Sequence, residues 1–233
     1  MRLMQLLSLR NGFLALTLTA IASSGGLITG CTNAASQNPS QASEASTSNA
    51  NNKQMMNHGG MNHSMGMDLG PADANFDLRF IDAMTPHHQG AVEMAKEAQQ
   101  KSKRPEIKKL ADDIIKSQNQ EITQMKQWRQ AWYPSAGDKP MAYSSQMGHT
   151  MEMSSDQMQA MMMSQDLGAA DAEFDLRFIN AMIPHHEGAV TMAKDVLSKS
   201  KRPEVKQLAQ EIIKAQNTEI KQMQQWRKTW YNK

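Results

Sequence analysis

The sequence predicts an all-α protein in which two tandem helical hairpins form one four-helix bundle. Three observations favour this fold class. The chain of 233 residues repeats itself internally, and its apolar residues recur every three or four positions within each copy. Each copy is also too short to bury a stable core by itself, so that two copies are expected to cover each other.

The internal repeat extends over more than half of the chain. A shift of 98 positions aligns residues 68–133 with residues 166–231, and about two-thirds of the aligned positions are identical. A two-helix hairpin buries apolar surface on one side only. A pseudo-twofold bundle within one chain is therefore the economical architecture, and the alternative is two independent hairpin domains that each dimerise with another molecule.

Both helices of the first copy can be placed from their termini. We expect the first helix to run from about Asp73, as its N-cap, to Lys101, and the second from Pro105 to Tyr133. Residues 102–104 form the turn between them. The second helix has an apolar stripe of Ile107, Leu110, Ala111, Ile114, Ile115, Ile122, Met125 and Trp132. We interpret Trp128 and Trp132, with Trp226 and Trp230, as closing the core.

Composition excludes several classes of function. The chain has 25 Lys and Arg against 23 Asp and Glu, so it lacks the basic surface that binds nucleic acid. Its single cysteine rules out a disulfide scaffold or a thiolate metal cage. Methionine is unusually frequent, with 21 residues, and many of these lie outside any predicted core.

The first thirty residues are typical of an export signal. Arg2 and Arg10 precede a short apolar run over residues 13–22, and the small residues before Cys31 resemble a bacterial lipobox. We expect Cys31 to become the lipidated first residue; the alternative is an ordinary secretory signal. Either signal places the protein in the periplasm or cell envelope, or releases it from the cell. The domains predicted are a signal peptide (1–30), a lipidated Cys and disordered tether (31–67), repeat 1 (68–134), a Met-rich linker (135–165) and repeat 2 (166–233).

A combination of Met, Pro and His occurs unchanged in both copies. Three- and four-residue spacing places a thioether and an imidazole on one face of the first helix, beside a proline expected to kink that helix or start a new turn. No Glu-x-x-His step, typical of di-iron bundles, occurs in the sequence, because Met stands where the Glu would be. The residues are Met84, Pro86, His87, His88 and Met94, repeated as Met182, Pro184, His185, His186 and Met192.

Soft thioether sulfur favours Cu(I) and its analogue Ag(I), whereas carboxylates suit harder ions; Cu(II) suits the His-containing sites. Met125 and Met223 are further candidate ligands, although either alone is typical of core packing. Glu121 and Glu219 lie near the apolar stripe, as do Gln118 and Gln216. A carboxylate at either position would orient a histidine N–H, or remain solvated.

Met and His residues in polar, Gly-rich sequence give a second signal. Exposed methionine gains nothing from burial, and flexible tracts of this kind can wrap a cuprous ion. The alternative is a Met-rich surface that binds partner proteins. We expect both tracts to be disordered. The first contains Met55, Met56, His58, Met61, His63, Met65 and Met67; the second, in a long crossover or mobile loop over 134–165, contains Met141, Met147, His149, Met151, Met153, Met158, Met161, Met162 and Met163.

The blocks 76–94 and 174–192, with their Met-x-Pro-His-His step, resemble the signature of a bacterial domain-of-unknown-function family with a ferritin-like helical fold. Within that family, the tandem arrangement and Met/His-rich flanks are similar to a periplasmic copper-binding protein associated with copper tolerance. The resemblance implies binding of Cu(I) and Ag(I) outside the cytoplasm by the Met and His positions named above.

We therefore expect an exported protein that sequesters Cu(I) and has no enzymatic activity. The sole contact with a membrane would be the lipid anchor at Cys31. One alternative is a metal-dependent oxidase, such as a cuprous oxidase, which would need an open coordination position. Another is a Met-rich protein that docks onto a copper efflux or export partner.

Overall fold

The computed structural model describes residues 68–233. The expected signal peptide, the lipidation site at Cys31, the tether and the Met/His tract from Met55 to Met67 lie outside the described residues. Within the described part, no helix is both long enough and apolar enough to span a membrane. The elements in chain order are α1 (Phe76–Lys101), α2 (Pro105–Trp132), β1 (Met141–Ser144), β2 (His149–Glu152), α3 (Ser155–Met162), α4 (Phe174–Lys199) and α5 (Pro203–Tyr231).

Each copy folds into the expected antiparallel hairpin, α1 with α2 and α4 with α5. The start of α1 differs from the prediction, because its N-cap is Asn75 and not Asp73. The Asp73 carboxylate accepts hydrogen bonds from the Asn75 backbone N–H and from Arg79, so it orders the turn before the helix. Helix α1 runs without a break through Pro86, so the predicted new turn at that proline is wrong.

The two copies share their core. Helices α1 and α4 pack on each other at the centre, and α2 and α5 cover them from outside. Each of two core clusters combines residues from both copies, which makes the alternative of two independent hairpin domains wrong. One cluster includes Ala91, Ala95, Ile107, Ile114, Phe174 and Phe178; the other includes their counterparts Ala189, Ala193, Val205, Ile212, Phe76 and Phe80.

Reciprocal contacts at the ends of the bundle join the hairpins. Arg104, in the turn of the first hairpin, lies 4.2 Å from the ring centroid of Trp230 and 3.4 Å from the Asp175 carboxylate. The second hairpin mirrors this arrangement with Arg202, Trp132 and Asp77. The four tryptophans are partly buried and stack in pairs, as expected for residues that close the core.

The crossover between the copies is folded, so the prediction of a disordered or mobile segment is wrong for this part of the chain. Strands β1 and β2 pair antiparallel, and a capping box of Ser154 and Gln157 begins α3. The Asp82 carboxylate of α1 joins the β1–β2 hairpin to the bundle, because it accepts hydrogen bonds from the Met141 N–H and from Arg129. These local bonds order a segment whose composition alone is typical of disorder.

The crossover packs mainly on α1 of the first copy and so breaks the pseudo-symmetry. Arg79 is fully buried beneath it, whereas the side chain of the equivalent Arg177 is 36% exposed. Thr150 in β2 accepts a hydrogen bond from Arg79 at 2.6 Å, and the Tyr143 ring lies directly on Gly70. The two halves of the bundle therefore share their core but differ in what covers it.

Candidate metal centre

Four histidines lie at the centre of the bundle, where α1 packs on α4, and each is at most 1% exposed. The rings of His87 and His185 stack with centroids 3.9 Å apart and an interplanar angle of 20°. These two residues are equivalent by the repeat, so the stack lies where the two copies meet. Helical periodicity places His88 and His186 beside them, facing the outer helices.

His88 and His186 make the same hydrogen bond in the two copies. The Nε2–H of His88 donates to the Glu121 carboxylate at 2.6 Å, and His186 donates to Glu219 at the same distance. The Nδ1 atoms of both rings are buried and have no hydrogen-bond partner within residues 68–233. Because a carboxylate fixes the hydrogen on Nε2, each Nδ1 presents a lone pair to the core.

His185 presents a third lone pair of this kind. Its Nε2–H donates to the backbone carbonyl oxygen of Met162 at 3.1 Å, and its Nδ1 has no hydrogen-bond partner in the described part of the chain. A buried polar atom without a partner costs about 1–3 kcal/mol. A ligand bound by these three nitrogens would offset this cost.

His87 lies between two acceptors. Its Nδ1 is 2.8 Å from the Met161 carbonyl oxygen, and its Nε2 is 2.9 Å from the His185 carbonyl oxygen. Burial, together with the nearby His88, lowers the pKa of His87 to about 4. A neutral imidazole has one N–H, so at neutral pH one of its nitrogens faces an oxygen without a hydrogen between them.

Six helical methionines are fully buried around these histidines. Met84 lies one turn before His88, and Met125 lies one turn after Glu121, so the antiparallel helices α1 and α2 place both sulfurs at one level of the bundle. Each core cluster holds three of the six methionines, from three different helices. The trios are Met84, Met125 and Met192 in one cluster, and Met182, Met223 and Met94 in the other.

This donor set fits a soft metal ion. Metal-binding histidines usually donate their second N–H to a carboxylate or a carbonyl, as His88, His186 and His185 do. Among residues 68–233, no group of three or more His, Cys, Asp or Glu side chains is placed to hold a metal ion. A site in this core would therefore combine imidazole with thioether, which are the ligands that suit Cu(I) and Ag(I).

The structure buries the predicted helical Met and His residues between the two hairpins, but it leaves Met147, His149 and Met151 of the crossover exposed. Met147 is 64% exposed and Met151 40% exposed, His149 is exposed, and Met153 is buried beneath the hairpin. Sequence reasoning missed the Met161 and Met162 carbonyls that contact the histidines, since it treated the crossover as disordered. It did raise Glu121 and Glu219 as histidine partners, and their hydrogen bonds confirm that alternative.

Comparison with known proteins places the chain in a family. The model of a family described as "Domain of unknown function (DUF305)" matches residues 26–129 and again residues 77–227. The chain belongs to the DUF305 family.

Two solved structures of CopM are similar to this member of the family. CopM in the Cu(II)-bound form is 43% identical, with a TM-score of 0.53, over 66% of this chain and 97% of that chain. CopM in the Cu(I)-bound form is 41% identical, with a TM-score of 0.50, over the same shares. The uncharacterized protein L153 of Acanthamoeba polyphaga mimivirus is 47% identical over 49 residues, which are 21% of this chain and about a third (32%) of the viral protein.

The buried histidines predict that the metal-free protein loses stability in acid. The pKa of His87 falls from 6.5 when unfolded to about 4 when folded, and burial also lowers the pKa of His185. The unfolded chain therefore takes up these protons first, and stability declines between about pH 6.5 and pH 4. His87 alone accounts for up to about 3 kcal/mol of this loss. Burial raises the pKa of Asp82. This shift favours the folded state as the pH falls, so it opposes the loss of stability caused by the histidines.

Urea unfolding of the metal-free protein at several pH values across this window measures the loss. A His149→Gln control should keep the full pH dependence, because His149 is exposed in the crossover. A free energy of unfolding that stays constant from pH 7 to pH 4.5 would contradict the prediction.

Proposed function

We propose that the protein is an exported copper-binding protein that sequesters Cu(I), and Ag(I) as its analogue, through Met and His sites. It would thereby contribute to copper tolerance or homeostasis. The observation that carries the proposal is the set of three buried imidazole Nδ1 atoms without hydrogen-bond partners in the described core, among six buried thioethers. The similarity to CopM, solved with Cu(I), Cu(II) and Ag bound, supports the same metal chemistry.

The core favours a monovalent soft ion over Cu(II). Its imidazole and thioether donors are neutral, and the two carboxylates contact the histidines through N–H groups and not through the lone pairs. Bringing a divalent ion into an apolar core costs more desolvation energy than bringing in a monovalent one. Cu(II) would bind at exposed His-containing positions such as His149.

The proposal extends to residues outside the described part of the chain. Residues 1–30 would direct export, lipidated Cys31 would anchor the protein in the periplasm or cell envelope, and residues 31–67 would carry further Met and His ligands. Together with the crossover, this tract would raise capacity or pass ions to an efflux or export partner. Release of a Cys31→Ser variant from the membrane fraction would support the anchor.

The proposed function predicts stoichiometric binding of Cu(I). The full chain is titrated anaerobically with Cu(I) against a chromogenic chelator that competes for the ion, and again with Ag(I). We expect more than one equivalent of each ion to bind, with the tightest equivalent in the bundle. A chain that takes no Cu(I) from the chelator would overturn the proposal. Copper-dependent oxygen uptake that is lost on changing His87 and His185 would favour the cuprous-oxidase alternative.

The carboxylates that hold His88 and His186 predict a graded effect on affinity. Replacing both Glu121 and Glu219 by Ala should weaken Cu(I) binding about 10–100-fold, because the rings lose the hydrogen bond that orients them. Glu→Gln at the same positions keeps an acceptor and should recover most of the affinity. The control is Glu106→Ala with Glu204→Ala, at exposed equivalent positions of α2 and α5. Equal affinities in all these variants would contradict the prediction.

A further inference from the structure

A cavity of about 390 Å³ lies between the crossover and the beginning of the first copy. Three methionines from three parts of the crossover line it: Met141 from β1, Met153 just after β2, and Met161 from α3. The crossover residues that line it have no counterpart in the repeat, since the crossover lies between the two copies in the sequence. It is separate from the four histidines of the core.

Two of these methionines are nearly fully buried. Met153 and Met161 are only 6% and 7% exposed, yet both line the cavity. Methionine in a core usually bends to fill an irregular gap, since its side chain is unbranched and flexible. The same flexibility would allow the three thioethers to turn toward an ion that enters the cavity.

The charges around the cavity suit a monovalent cation. Arg79 lines it, but this guanidinium is held by the Asp73 carboxylate and by the carbonyl oxygens of Leu69 and Pro71. The Asp68 carboxylate also lines the cavity. The lining residues thus hold one carboxylate and one guanidinium, and Asp73 outside the lining also pairs with that guanidinium, so the cavity has no unpaired positive charge to repel a cation.

Met161 connects the cavity to the core. Its side chain lines the cavity and also belongs to the core cluster of Met84 and Met125, while its carbonyl oxygen lies 2.8 Å from His87 Nδ1. The next carbonyl, that of Met162, lies so close to α1 that a Cβ at Gly90 would be 1.9 Å from its oxygen. An ion in the cavity would be separated from the histidines by this one residue.

We propose that Met141, Met153 and Met161 form a thioether site for one Cu(I) or Ag(I) ion in the crossover cavity, beside the histidine core and distinct from it. The inference rests on the proposed function of cuprous binding and adds a second site, on the solvent side of the core. The all-sulfur donor set selects soft ions over Zn²⁺ or Mg²⁺. Ions would enter at the cavity and pass Met161 to reach the histidines.

Methyl NMR with Ag(I) tests this site directly, because Ag(I) is not oxidised during the measurement. The full chain carries ¹³C-methyl methionine, and single Met→Leu variants assign the signals of Met141, Met153 and Met161. Two combined variants accompany the wild type: Met141→Leu with Met153→Leu and Met161→Leu, and His88→Gln with His186→Gln. The control is Met147→Leu with Met151→Leu, which changes exposed methionines outside the cavity.

We expect the three cavity methyl signals to shift when Ag(I) is added, both in the wild type and in the histidine variant. The triple Leu variant should bind one Ag(I) fewer than the wild type, whereas the control keeps the Ag(I)-induced shifts of the three cavity signals. Leu has nearly the volume of Met, so the triple variant should remain folded, and the wild-type shifts do not depend on any variant. If Ag(I) binds but shifts only core signals such as that of Met84, the cavity site is wrong and the proposed function stands. If no Ag(I) or Cu(I) binds, both are wrong.

Discussion

Replacing His88 and His186 by Gln is expected to remove the tightest Cu(I) binding and leave the bundle folded. Each histidine presents a buried Nδ1 to the core and donates Nε2–H to a carboxylate. Glutamine keeps an N–H donor for Glu121 or Glu219 but loses the nitrogen lone pair. Since the carboxylate partner of a ligand is worth about 10–100-fold in affinity, loss of the ligand itself should cost more than that.

A competition titration with Cu(I) measures this loss, and circular dichroism with thermal unfolding checks the fold. His149→Gln is the matched control, because it makes the same change at an exposed histidine that lies outside the core. It should leave the tightest equivalent unchanged. If the double variant kept wild-type affinity for that equivalent, His88 and His186 would not be ligands. Their hydrogen bonds to Glu121 and Glu219 would then contribute to packing alone.

The sequence was sufficient to predict the helical hairpins and their shared bundle. The repeat established that the two halves fold alike, and the apolar stripe of the second helix predicted the buried residues of α2, such as Ile107, Ile114 and Met125. Helix termini were predicted to within a few residues, because proline and short polar turns mark them locally. The exception was Asp73, whose side chain binds Arg79 and is not available as the helix cap.

The crossover could not be predicted from composition. Its methionines and polar residues are typical of a disordered segment, and the bonds that order it are made with residues far away in sequence. Asp82 accepts the Met141 N–H, and Arg79 donates to Thr150. Because these partners lie on α1, the order of the crossover depends on its contacts with the first copy.

The sequence singled out the residues of the candidate centre, but it did not predict their geometry. Periodicity placed Met84, His87 and His88 close to one another on α1, but it could not show that His87 stacks on His185. That contact depends on how the two copies pack, and it brings two equivalent half-sites together at the pseudo-twofold axis. Duplication therefore accounts for the centre as well as for the fold.

Replacing Arg79 by Met is expected to lower the free energy of unfolding by about 3 kcal/mol, because the hydrogen bonds of a fully buried guanidinium are lost. Its guanidinium donates to the carbonyl oxygens of Leu69 and Pro71 at 2.6 and 2.7 Å, and to Thr150 in β2. The Met side chain restores part of the apolar packing. It leaves the Leu69 and Pro71 carbonyl oxygens and the Thr150 hydroxyl without the donor that Arg79 supplies. The crossover loses a side chain that joins it to α1.

The same change in the second copy is the matched control. Arg177 donates to the Leu167 and Ala169 carbonyl oxygens as Arg79 does in its own copy, but no crossover covers it and its side chain is 36% exposed. Water can replace its partners, so Arg177→Met should cost only about 1 kcal/mol in urea unfolding. Faster amide exchange in β1, β2 and α3 should accompany Arg79→Met alone. Equal losses in the two variants would mean that the crossover adds nothing to the Arg79 network, because the two arginines otherwise share the same local turn.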